Sequence, residues 1–101
     1  MDTIKKYMVR CDQDAYDFLK PELARIAGQE PRTSEVKGLG GAIEAWIIAG
    51  TVGVNAATAL LKLITEAINS RKTIKSVRID DREIANPTGE EIEKLRREIS
   101  S

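Results

Sequence analysis

Two glycine-bearing stretches have residue types suited to holding an anion: Lys37-Gly38-Leu39-Gly40-Gly41 and Gly50-Thr51-Val52-Gly53. Glycine lets backbone N–H groups approach a phosphate closely. The first stretch lacks the Gly-Lys-Ser/Thr ending of a P-loop. The second lacks the Gly-x-Gly-x-x-Gly spacing of a dinucleotide fold. The first therefore reads as part of a long loop and the second as a tight turn. Asp80 and Asp81 could hold a metal or form an acid–base pair, but neighbours on a strand point to opposite faces. They too read as a turn. Asp12, Asp14 and Asp17 could face a hard cation, yet helix capping and first-turn charge account for all three. Cys11 is the single cysteine, and the chain has no histidine to activate it. A small buried residue is the default reading there. Arg71, Lys72, Lys75 and Arg78 could touch phosphates, but Asp80, Asp81 and Glu83 follow at once, as on a solvated face. No catalytic residue, metal site or cofactor is expected, and the chain reads as a non-enzyme.

The 101 residues suffice for one domain, taken as 1–101. Sixteen basic and sixteen acidic residues cancel, so nothing in the net charge points to nucleic acid. A net charge near zero gives little protection against self-association, which favours an oligomer or a protein partner. A lone cysteine fits a reducing cytosol, and no export signal is evident after Met1. A cytoplasmic location is expected.

These residues must be carried by a small set of elements. Ile4 to Cys11 alternates Tyr7, Val9 and Cys11 with Lys6, Met8 and Arg10, the pattern of a half-buried strand. Lys5 and Lys6 suggest that it lies near a sheet edge. Asp12 or Asp14 then caps a helix whose stripe is Ala15, Leu19, Leu23 and Ile26, with Gly28 as its stop. Pro21 predicts either a kink or a break there. Residues 28–41 read as a long loop, with a short strand around Glu35 to Lys37 as an option. Thr73 to Asp80 reads as a strand, Asp80-Asp81 as a turn and Arg82 to Ala85 as a short returning strand. Thr88-Gly89-Glu90-Glu91 matches the capping box of a last helix with the stripe Ile92, Leu95 and Ile99.

The centre of the chain admits two readings. Ala45 to Leu61 is seventeen residues without a charge. As a helix these would span roughly 25 Å, short of a hydrocarbon core of ~30 Å. Gly41, Ala45, Ala49, Gly53 and Ala57 form a small-residue stripe suited to close helix packing in a membrane. The alternative is a strand over Ala42 to Ala49, a turn at Gly50–Gly53 and a helix from Asn55. Asn55, Thr58, Lys62, Thr65 and Asn69 then share one wet helix face. The flanking strands need partners, which favours this second reading.

From Ile43 onward the chain resembles the effector-associated constant component domains of prokaryotic conflict systems. In those an apolar strand, a Gly-rich turn and an Ala/Leu-rich helix ending in basic residues precede a hairpin like V-x-V-x-D-G-R. The matching stretches are "EAWIIAGTVG", "NAATALLKLITEAINSRK" and "VRIDDREI". The Asp80-Asp81 turn without glycine and the added capped helix depart from the pattern. The resemblance implies a non-enzymatic adaptor linking a sensor or protease-like module to an effector.

The expected architecture is an α/β domain. It has a small mixed sheet of three to four strands, a central βαβ crossover from Ala42 to Asp80 and a capped C-terminal helix. The expected role is protein interaction, by self-association or docking to an effector. The candidate surface comprises Asn55, Thr58, Lys62, Thr65, Leu39 and Trp46, with an open strand edge beside it. No nucleic acid or small-molecule substrate is expected. The competing expectation is a membrane-associated protein whose 41–64 segment inserts as a self-packing helix.

Overall fold

The computed structural model describes residues 4–28 and 31–100. In chain order it holds β1 (Lys5–Cys11), α1 (Gln13–Ala27), β2 (Arg32–Lys37), a short 3-10 turn (Leu39–Gly41), β3 (Ile43–Val52), α2 (Val54–Asn69), β4 (Ile74–Ile79), β5 (Arg82–Ala85) and α3 (Gly89–Ser100). The strands form one five-stranded sheet in the order β2-β3-β1-β4-β5. Every neighbouring pair is antiparallel.

This corrects the expected mixed sheet of three to four strands. The crossover from β3 through α2 to β4 exists, and the two strands run the same way. They are not neighbours, because β1 lies between them, antiparallel to both. Likewise β1 and β2 run the same way with β3 between them. Two interlocked split β-α-β units result, the ferredoxin-like arrangement, extended by β5 and α3. Strand β1 is thus the central strand and not an edge. Its two lysines sit at one end, where Lys5 Nζ lies 3.3 Å from Asp80 Oδ2.

The fifth strand lies in the expected 28–41 loop, of which residues 29–30 lie outside the described ones, and the optional short strand around Glu35 to Lys37 is its end, since β2 begins at Arg32. Strand β2 is exposed along almost its whole length, so no alternation marks it in the sequence. After it, Gly40 and Gly41 adopt φ of 85° and 83°, a region that only glycine enters freely. They return the chain into β3.

The 41–64 segment is not one helix. Strand β3 runs through Gly50 and Thr51 to Val52, and Gly53 alone separates it from α2. The turn expected at Gly50–Gly53 therefore shrinks to its last residue. No helix among the described residues is long and apolar enough to cross a membrane.

Helix α1 begins where Asp12 Oδ1 accepts the Ala15 N–H at 2.9 Å and ends at Gly28, with φ 72°. It passes through Pro21 without a break. The loss of one backbone hydrogen bond is tolerated because Leu19 and Leu23, on either side, are buried in the core. Helix α3 starts on the capping box. The Glu91 N–H donates to Thr88 Oγ1 at 3.2 Å, and the Thr88 N–H donates to Glu91 Oε1 at 3.1 Å.

The three helices cover one sheet face: α1 and α3 flank α2, which lies against β1, β3 and β4. Thr33, Ile48, Val9, Val77 and Ile84 form a transverse row beneath them. Ile48, Val9 and Val77 have no solvent exposure. Leu60, Leu61 and Ile64 of α2 and Ile92 and Leu95 of α3 complete the core.

Candidate functional site

Cys11, Asp12 and Asp80 are held in structural roles. Cys11 is buried in the central strand, opposite Trp46 on one side and Ile74 on the other. Burial, with the Asp12 carboxylate adding to it, pushes its thiol up to about 12. The thiolate that nucleophilic chemistry needs is thus disfavoured. Asp80 ties the β4–β5 turn to the start of β1. Its Oδ1 accepts the Lys6 N–H at 2.9 Å, and its own N–H donates to the Lys6 carbonyl at 2.7 Å. The hydrogen bond donated by the Lys6 N–H to the carboxylate, with Lys5 assisting, holds the Asp80 carboxyl below the usual carboxylate range. No group of three or more His, Cys, Asp or Glu residues suited to a metal occurs among the described residues.

The six candidate surface residues do not form one patch. Trp46 lies on the helix side of β3, half-buried, with its ring stacked on Tyr16 at a centroid distance of 4.2 Å. Its Nε1 donates to Gln13 Oε1 at 2.8 Å. It fastens α1 to the sheet. Thr58 and Thr65 are half-buried on the side of α2 that α3 approaches. Thr58 Oγ1 lies 3.2 Å from Ser100 Oγ, and Thr65 borders Gly89. Much of the wet helix stripe is therefore a seam within the molecule. Asn55 and Lys62 remain exposed beside it. Leu39 stands apart in the β2–β3 connection and is fully exposed.

Besides the outer edge of the short strand β5, two surfaces remain open among the described residues. The first is the outer edge of β2. It ends the sheet, and exposed Leu39 and Ile43 lie beside it. The second is the sheet face opposite the helices. One transverse row there reads Arg32, Ala49, Met8, Arg78 and Glu83 across all five strands. The next reads Ser34, Ile47, Arg10, Ser76 and Ala85. Lys6 and Thr51 follow on the side of Met8 away from Arg10. The face is a band of modest apolar side chains among arginines. Sequence reading placed Lys6, Met8 and Arg10 together on the outward side of β1. It missed Arg32 and Ile47 as their neighbours, because that depends on the register of a strand with no visible pattern.

A cleft of about 530 Å³ opens where β3 runs past the start of β2, lined by Tyr7, Ala27, Pro31, Arg32 and Gly50. The Tyr7 ring crosses Gly50 so closely that a Cβ there would fall 2.8 Å from the phenol oxygen. That hydroxyl is buried without a hydrogen-bond partner among the described residues.

Comparison with protein-family models, with curated proteins and with solved structures returns no match, so the chemistry of these surfaces is what bears on function.

Proposed function

We propose that the chain is a non-enzymatic interaction domain, an adaptor that assembles with copies of itself or docks onto an effector chain. The observation that carries this reading is the free edge of β2. An unpaired strand edge presents backbone donors and acceptors that a second strand satisfies. Here the edge is six residues long, and exposed Leu39 and Ile43 supply apolar contact beside it. The resemblance from Ile43 onward supports a setting for such an adaptor in a prokaryotic immunity or conflict system.

For self-association, the favoured geometry is antiparallel pairing of two β2 strands about a two-fold axis at Ser34. Opposite residues of an antiparallel pair share a face. This register keeps both helix layers on one side of the joined sheet and sets Thr33 opposite the other copy's Glu35. Sedimentation velocity over a concentration series tests it. The expected result is a concentration-dependent dimer. Ser34→Lys, which sets two ammonium groups against each other, is expected to shift it to monomer with the far-UV circular dichroism unchanged. A monomer at every concentration, or a dimer indifferent to Ser34→Lys and to Leu39→Asp, would remove this assembly mode.

A further inference from the structure

We propose that the uncovered sheet face binds an acidic, amphipathic helical segment of a partner protein. The inference rests on the reading of the chain as an interaction domain, but it uses a different surface from the β2 edge.

The molecule as a whole is neutral, yet its charges are not evenly spread. Among the described residues the open face carries Lys6, Arg10, Arg32 and Arg78 by strand register, against Glu83 and, at the β4–β5 turn opposite Lys6, Asp80. Among the described residues the Arg10 and Arg32 side chains have no ion pair or hydrogen bond within the chain. Their charges are available to a partner. A basic surface of this kind selects acidic partners and speeds their encounter.

The centre of the face is apolar. Met8 is 41 % exposed in the middle strand, flanked by Ala49 and, one row on, by Ile47. Methionine adapts its shape to varied apolar partners. Four inter-strand gaps make the face about 19 Å wide. A helix of about 10–12 Å lies within that width, with its apolar stripe on Met8 and Ile47 and its acidic flanks toward the arginines.

The same face is poorly built for single-stranded nucleic acid, which is gripped by stacking bases on aromatic rings. The chain has only four aromatic residues. Tyr7, Tyr16, Phe18 and Trp46 all belong to the helix-side core or pack against it.

The test uses the whole chain with three probes: a sixteen-residue Glu/Leu peptide of helical periodicity, a fifteen-nucleotide oligo-dT, and vesicles of mixed phosphatidylserine and phosphatidylcholine. Amide chemical-shift mapping should place the peptide on Met8, Arg10, Ile47 and Arg78, with affinity falling as salt rises. Arg10→Glu combined with Arg32→Glu should weaken peptide binding at least tenfold at an unchanged melting temperature. Should that variant fold poorly, the Gln pair at the same positions should still weaken binding several-fold. The proposal is overturned by no peptide binding at millimolar concentration, by shifts confined to the helix side, or by affinity indifferent to both variants. Tighter binding of oligo-dT or vesicles at the same face overturns it in favour of that ligand. Peptide binding by a chain that stays monomeric would remove the β2 pairing and leave this inference standing. A dimer that ignores the peptide would do the reverse.

Discussion

Tyr7 and Gly50 show how one missing side chain sets local packing. The phenol ring occupies the space that a Cβ at residue 50 would need, and its hydroxyl is buried and unpartnered among the described residues. Gly50→Ala is expected to destabilise by about 1–3 kcal/mol through overpacking. Tyr7→Phe removes an orphaned polar group, so it should be at least as stable as the parent. It should also recover part of the Gly50→Ala loss in a double-mutant cycle read by urea unfolding. Asp80 carries a different dependence. Its carboxyl titrates lower in the folded chain than in the unfolded one. The stability it contributes is therefore present above the unfolded value of about 3.9 and is lost as pH falls through the folded value. Asp80→Asn should be less stable than the parent at neutral pH, and the gap should close on acidification below about pH 4. A constant gap across that range would rule out the carboxylate's charge as the cause. At this scale the sequence was informative. The Asp80-Asp81 turn, the Asp12 cap and the buried Cys11 all follow from local chemistry. The embrace of Tyr7 and Gly50 does not, because the two residues meet only through the register of distant strands.

The elements were legible in proportion to how much each is buried on one side only. Helix α3 declares itself twice, by its capping box and by the stripe Ile92, Leu95 and Ile99. Thr88→Ala should cost about 1 kcal/mol in thermal or chemical unfolding, and Glu91→Ala should lower stability by the same mechanism, since the two hydrogen bonds are reciprocal. Strand β2 was legible only at its end, as the optional short strand around Glu35 to Lys37. Its single large apolar side chain is Val36, and an edge strand exposed on nearly every residue has no reason to alternate. The polar stripe of α2 was found correctly as a face, but its use was not. A row of Thr, Lys and Asn serves water and a neighbouring polar helix equally well. Only the docking of α3, through Thr58 and Ser100 and around Gly89, decides that part of it faces inward. Of the expected surfaces an open strand edge remains, at β2, and the open sheet face joins it.

At the scale of the whole molecule, the sequence supplied the layers but not the strand order. Neither periodicity nor charge distinguishes a strand at the centre from one at the rim, and Lys5 and Lys6 pointed the wrong way for β1. The central place of β1 makes Cys11 a reporter of global opening. Its thiol lies in the deepest strand with both neighbours paired and burial opposing its ionisation. Labelling by Ellman's reagent at neutral pH should therefore proceed at the rate of global unfolding and accelerate in parallel with urea-induced loss of structure. Rapid labelling in native buffer would instead reveal that a partner of β1 separates on its own. The interlocked topology also bears on how the chain is made. Cys11 pairs with Trp46 and Ile74, which follow it by 35 and 63 residues. As the chain leaves the ribosome, the middle of the sheet emerges first and its two flanks much later. Strand β1 must wait with both edges bare until β3 follows it, and its second edge is covered only when β4 arrives.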